Sequence, residues 1–282
     1  MQLKDYLKQD LAPSTVDRYL REIELYFVSV ENHQTADYTT IVNYIGSLRK
    51  KQQNLGCSLH AIKKYYSYLV AINQREDNPA KSIRLRDKVS RDIQIQDLFK
   101  TEELELLLDR KERYPLLKNK NKVVLSLLIY QALKVGEIGK LTLKDIDLEK
   151  GLITIKGDRK TNGRTLKLES KQVFWLVNYI SIDRPKLLKV DSDLLIISSR
   201  GTPQRGDTVH SLVESLKYLF PNRNLNPRTI RQSVITNLLK QGKDLRIVQV
   251  FAGHKYPSAT ENYKQTNLEE LKTEILKYHP LQ

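Results

Sequence analysis

Four side chains toward the C-terminal end have types and spacings suited to work on a phosphate group. Arg228 and Arg231 stand three apart in a stretch of helical pattern, so they project toward the same side of one helix. Ala252-Gly253-His254 follows a short helix that begins near Asp244, and Tyr263 lies nine residues beyond the histidine. Ser258 precedes Glu261 by three, a capping-box spacing that places Tyr263 in the first turns of a new helix. Forked guanidinium groups match phosphate oxygens through paired hydrogen bonds. Imidazole can donate to phosphate or assist a proton transfer. A phenol, with an ordinary pKa of ~10, becomes a good attacking group where nearby cations favour its anion. Taken singly, such a tyrosine is ordinarily a partly buried anchor, the histidine a cap and the arginines surface groups. The ordered set is what carries the functional reading.

These residues need a scaffold, and the rest of the chain supplies its pattern. Residues 1–83 read as all helical. Pro13-Ser14-Thr15 starts a helix carrying Val16, Tyr19, Leu20, Ile23 and Tyr26-Phe27 at helical spacing. A second helix is expected over about Tyr38 to Lys50. A third starts at Ser58 with Leu59, Ile62, Tyr65, Tyr66 and Leu69 on its apolar side, and Asn78-Pro79 ends the bundle. The tyrosines here (Tyr19, Tyr26, Tyr65, Tyr66 and Tyr68) read as core packing. Residues 84–97 are charged and weakly patterned, which suggests an interdomain linker. Residues 98–282 form a second, mixed domain. Thr101-Glu102-Glu103 begins a helix, and Val123–Leu133 reads as a buried helix. Two short alternating runs, 152–156 and 164–168, flank a polar turn and predict a β-hairpin. Val209, Leu212, Val213, Leu216 and Phe220 mark a further helix, and Asn226-Pro227 caps the next, which Gly242 closes. The expected fold is mainly α with a small β-sheet.

Composition narrows the partner. The 282 residues carry a formal net charge of +15, spread along the chain rather than gathered in a tail. A folded surface of that charge attracts a polyanion, either nucleic acid or an acidic membrane face. The longest apolar run, Val123–Leu133, falls far short of the ~20 residues that span a bilayer. The start, Met1-Gln2-Leu3-Lys4-Asp5, has no signal-peptide core. Cys57 is the only cysteine, so no disulfide within the chain and no thiolate metal cage is expected. A cytoplasmic protein with no metal and no cofactor is the expectation.

The ordered boxes make the chain resemble the tyrosine recombinases, the phage-integrase and Xer group. That signature has an H-x-x-R box, a Leu-Gly-His box and a tyrosine nine residues beyond its histidine, matched here by Arg231, Ala252-Gly253-His254 and Tyr263. Gln131-Ala132-Leu133-Lys134-Val135-Gly136-Glu137-Ile138 is similar to the family's T-G-L-R-x-x-E-I box. The hairpin at 152–168 resembles the one whose turn carries the family's catalytic lysine, and residues 1–83 resemble its helical core-binding domain. The resemblance implies an attack by the Tyr263 oxygen on a DNA phosphate, leaving a 3′-phosphotyrosine and a free 5′-hydroxyl. The ester conserves the bond energy, so rejoining needs no ATP. It also implies a C-shaped clamp on double-stranded DNA and a homotetramer on two sites. A tail helix at about 267–278, with Leu268, Leu271, Ile275 and Leu276 on one face, would be exchanged between neighbours.

Three positions depart from that pattern. The first-box arginine is Lys134, which keeps charge but loses the bidentate fork. The histidine of H-x-x-R is Arg228, which can donate but cannot shuttle a proton near neutral pH. The hairpin's Gly-Lys position is Gly157-Asp158, so the general acid falls to Lys160 near the tip, with Lys156 in reserve and Arg159 beside them. Glu137 reads as structural, paired with a nearby cation. The leading expectation is a site-specific recombinase, integrase or transposase working through a Holliday junction. The alternatives are a DNA-binding protein of the same fold that does not cleave alone, and a topoisomerase that relaxes DNA without choosing a sequence.

Overall fold

The computed structural model describes residues 2–50, 55–85, 93–159, 161–202 and 206–263. Lys160 and the expected tail helix at about 267–278 lie outside the described residues. The chain divides into two compact units, Met1–Ser90 and Arg91–Gln282.

Among its described residues the first unit holds four helices: α1 (Leu3–Asp10), α2 (Pro13–Ser29), α3 (Tyr38–Lys50) and α4 (Leu55–Ala71). Each carries a stripe of apolar residues, and the stripes meet in a core of Leu7, Val16, Ile23, Ile41 and Ile62. Helix α4 begins three residues before Ser58, which is buried and donates to Glu22 at 2.5 Å. The tyrosines do pack inward. Tyr26 and Tyr66 are wholly buried with their hydroxyls 2.7 Å apart, and Tyr66 donates onward to the His33 carbonyl at 2.7 Å. Such partners are what permit a phenol in a core. The Asn78 side chain bonds the Lys63 carbonyl and Ser67, tying the end of the unit to α4.

The second unit is built around one helix. After α5 (Thr101–Glu105), α6 (Lys118–Tyr130) buries Val123, Val124, Leu125, Leu127 and Leu128 almost completely. A helix apolar on all sides belongs at a centre, and α6 packs against α8 (Ser170–Asn178) and α11 (Pro227–Lys240). The helix differs from the sequence expectation at both ends. It starts earlier, in the polar run beginning at Lys118, and it stops at Tyr130. Residues 131–134 form a turn in which Ala132 adopts a left-handed φ of 50°. Residues Ile95–Asp97, expected in the linker, form a 3₁₀ turn, and Asp97 accepts from the Asn224 amide at 3.0 Å.

Short helix α7 (Val135–Ile138) follows the turn. A three-stranded antiparallel sheet comes next: β1 (Ile146–Asp147), β2 (Leu152–Ile155) and β3 (Arg164–Lys167), with Ile153 opposite Leu166 and Ile155 opposite Arg164. Helices α9 (Arg184–Leu187) and α10 (Gly206–Glu214) lead to α11, which Asn226 caps by accepting from the Arg228 and Thr229 amides. Asp244 caps α12 (Leu245–Ala252), and Gly253, at φ 65°, ends it. No helix among the described residues is long and apolar enough to cross a membrane.

The sole tryptophan, Trp175, packs against the core of this unit and so reports on it. Replacing Leu127 by Ala is expected to cost about 2–5 kcal/mol. The check is a lowered urea midpoint in the Trp175 fluorescence transition; an unmoved midpoint would contradict the placement of α6 at the centre.

Candidate active site

The turn after α6 and the turn after α12 are brought together by one buried side chain. Arg231, on the inner side of α11, donates from Nη1 to the Ala132 carbonyl and from Nη2 to the Ala252 carbonyl, the latter at 2.5 Å. It is 6% exposed. Burial pushes its pKa down, an effect that neighbouring Glu137 opposes. A guanidinium has about five N–H donors, so others remain for a ligand.

Beside it lies a second buried cation. Arg164 of β3 forms a two-bond pair with Glu137, at 2.8 and 3.1 Å, and both side chains are nearly inaccessible. Burial raises the Glu137 carboxyl, but Arg164 and the Lys134 amide outweigh it and hold the pKa below the ordinary range. Glu137 is thus paired with a cation, as its position in the sequence suggested. Its second oxygen accepts from the Lys134 backbone at 2.8 Å, which fixes the start of α7. Arg164 also dictates the glycine of the Ala-Gly-His box. A Cβ on Gly253 would lie 2.4 Å from Arg164 Nη1, in a backbone conformation that L side chains already disfavour.

The hairpin tip is laid against the same segment. Asn162 donates to the Gly253 carbonyl at 3.1 Å, and Thr161 bridges to His254. Asp158 folds the tip by accepting from the Thr161 amide and hydroxyl, at 2.9 and 3.0 Å. His254 is buried, with Nδ1 2.8 Å from the Thr260 hydroxyl. Burial, reinforced by Arg231, Lys134 and Arg164, pushes its pKa down to about 4. The imidazole is therefore neutral at physiological pH.

Tyr263 sits in the last described helical turn. That helix begins at residue 258 with the Pro257 carbonyl accepting from Thr260 and Glu261 amides, so Ser258 is its first residue rather than its cap. The phenol ring packs on Ile235, Leu239, Val248 and Ala252, and lies nearly parallel to the His254 ring at 5.9 Å between centroids. Burial raises its pKa, against the pull of Arg231 and Arg228.

Lys134, Arg228, Arg231, His254 and Tyr263 all line one cavity of 340 Å³. Five of the six residues singled out from the sequence are thereby brought together; the sixth, Lys160, is outside the described residues. Lys134 is half-buried, and its ammonium is pushed down in pKa by burial and by Arg231. Arg228 is exposed at the mouth of the same helix. The reserve candidate Lys156 is not in this cavity; it pairs with Asp145 at 3.2 Å beside a separate, smaller cleft. Two residues escaped the sequence reading. Arg164 faces inward in the alternation of the hairpin, opposite Ile155, and an inward arginine needs a buried carboxylate. His210 lines the cavity from α10, and being off that helix's apolar stripe was its only signal.

This is the arrangement expected of a chemistry on phosphate, and known proteins share its frame. Residues 98–270, well over half of the chain, match the Phage integrase family. The chain belongs to that family. The chain is 26% identical to the tyrosine recombinase XerD of Vibrio vulnificus over 288 residues, covering 98% of this chain and 92% of the relative. It is 27% identical to the tyrosine recombinase XerC of Thermodesulfovibrio yellowstonii over 240 residues, or 82% and 77% of the two chains. Among solved structures, the XerH site-specific recombinase in a pre-cleavage complex with its difH substrate shares the fold. Its TM-score is 0.69 at 20% identity, over 91% of this chain and 78% of that one. The integrase is a tyrosine-type enzyme of site-specific DNA recombination, acting by strand cleavage and transfer.

Two outcomes test this geometry. Replacing Glu137 by Gln leaves Arg164 buried beside a neutral group and is expected to cost about 3–5 kcal/mol, read from the Trp175 unfolding transition. The second concerns pH. The folded His254 takes a proton only near pH 4, whereas an unfolded histidine does so near ~6.5. Between these values the unfolded chain binds more protons, so this contribution is whole above about pH 6.5 and is lost as pH falls toward 4. Urea midpoints measured across that range should fall less steeply for His254→Gln; parallel curves would contradict the depressed imidazole.

Proposed function

We propose that Tyr263 is the nucleophile, and that the cavity around it binds the scissile phosphate of double-stranded DNA. The observation that carries the reading is the meeting of Tyr263 with Arg228, Arg231, Lys134 and His254 in one cavity. The Tyr263 oxygen attacks phosphorus, leaving a 3′-phosphotyrosine and a 5′-hydroxyl. Extra negative charge gathers on the phosphate oxygens as the attack proceeds, and fixed donors lower the barrier by meeting it there. Arg231 and Arg228 offer guanidinium forks, and Lys134 offers a point charge in place of a third fork. Neutral His254, with Nδ1 toward Thr260, offers its other ring nitrogen to the phosphate. Lys160, between Arg159 and Thr161 in the sequence, protonates the departing 5′-oxygen. The reaction uses no metal and no cofactor.

In this reading residues 1–83 are a helical DNA-binding domain, 84–97 a linker and 98–282 the catalytic domain, and the chain works in the cytoplasm. Four copies act on two DNA sites, joined through the segment at about 267–278, and strand exchange passes through a Holliday junction. The net charge of +15 supports a broad contact with the DNA backbone.

The test begins with a duplex selected from a randomised library by binding to the Tyr263→Phe chain. The selected sequence, rebuilt with a nick near its centre, lets the cut fragment diffuse away and traps the covalent intermediate. The unaltered chain should form a protein–DNA adduct that survives denaturation; Tyr263→Phe should form none. Arg231→Ala should slow adduct formation by about 10²–10³-fold. Tight binding without any adduct would sink the proposal in favour of a DNA-binding protein that does not cut alone.

A further inference from the structure

Attack by Tyr263 requires that its phenolic proton go somewhere. Burial raises the pKa of this hydroxyl, so at neutral pH the proton is present and must be removed. The residues already described are poor acceptors. Arg228 and Arg231 hold their protons at any physiological pH. His254 is a weak base, its pKa pushed down to about 4, with Nδ1 occupied by Thr260. Lys134 stands among the same cations as a donor to phosphate.

One further imidazole reaches the cavity. His210 lies on α10, which packs against α7 and α11, the helices that carry or follow Lys134, Arg228 and Arg231. It is exposed rather than locked in the core, while Val209 and Val213 on the same helix are buried. The charged and titratable groups sharing its cavity are Lys134, Arg228, Arg231, His254 and Tyr263.

We infer that His210 is a catalytic residue of this enzyme, accepting the Tyr263 proton during cleavage and returning it during rejoining. The inference rests on the reading of Tyr263 as nucleophile. As a lone pair of Tyr263 Oη forms the bond to phosphorus, the phenolic proton passes to a ring nitrogen of His210. The bond from phosphorus to the 5′-oxygen breaks with its electron pair on that oxygen, which takes a proton from the hairpin lysine. Rejoining runs the same transfers in reverse.

The experiment measures single-turnover adduct formation on the nicked selected duplex, at saturating protein, from pH 5.5 to 9. His210→Ala is expected to slow cleavage by on the order of 10²-fold with DNA affinity nearly unchanged. Added imidazole should restore a substantial part of the rate, and the limb of the pH profile due to the lost group should vanish. His210→Gln keeps a hydrogen-bonding side chain without a titratable ring, and it should be as slow as the alanine chain. Cleavage at the unaltered rate would overturn the proposal. So would a slow alanine chain indifferent to imidazole, or a glutamine chain with full activity, since either assigns His210 a contact or packing role. Absence of an adduct from the unaltered chain would instead defeat the Tyr263 reading on which this one stands.

Discussion

The buried pair between Glu137 and Arg164 is the interaction on which the site's frame depends. Taking two charges out of water costs several kcal/mol each, and attraction between them offsets that cost only when the geometry is good and other bonds are satisfied. Here one carboxylate meets two demands: it accepts two hydrogen bonds from Arg164 and one from the Lys134 amide. The pair therefore joins the start of α7 to strand β3. Arg164 Nη1 also lies where a side chain at 253 would go, so the pair shapes the turn that precedes His254. Three sequence-distant boxes meet at this charge pair, and Arg231 ties two of them a second time through the Ala132 and Ala252 carbonyls.

Around that frame the cavity is a cluster of cations with little anionic balance of its own. Glu137 is already engaged, and among the described carboxylates near the hairpin, Asp158 folds the tip while Asp145 holds Lys156. Burial pushes the pKa of Arg231 and of Lys134 down, Arg164 adding to the effect on Arg231 and Arg231 to the effect on Lys134, which is the electrostatic signature of a place prepared for an incoming anion. An anion entering it would relieve repulsion as well as form bonds. Substrate binding and the stability of the site are coupled by the same charges.

Much of this was legible in the sequence where a local signal matched the final packing. Tyr38–Lys50 was bounded correctly because its apolar spacing and its flanks agree. Asn226-Pro227 announced α11 because cap and proline act within three residues. The two long strands of the hairpin followed from alternation. Elsewhere a polar composition hid part of a helix: Lys118 to Lys122 lies outside the expected helix, yet it forms the first turns of α6 with Lys120 and Asn121 buried. Spacing also misplaced the cap before Tyr263, because Pro257 rather than Ser258 precedes that helix. The candidate site was visible through Arg231, His254 and Tyr263, whose mutual spacing is a family pattern. Arg164 and His210 were not: their local signals, an inward place in the alternation and a place off an apolar stripe, do not say which partners they meet across elements.

The turn at Ala132 shows what kind of information a site position can hold. Its carbonyl receives Arg231, and its backbone is left-handed at φ 50°, a conformation costing an L residue roughly 1–2 kcal/mol. The site uses only an oxygen from this residue, and every amino acid has that oxygen. The Ala132 methyl is also wholly buried in the core, so the alphabet permitted here is set by handedness and by space together: glycine meets neither limit, alanine only the first, and the β-branched residues meet both. A substitution table built on hydrophobicity would rank valine beside alanine at this position, and the backbone would rank them at opposite ends.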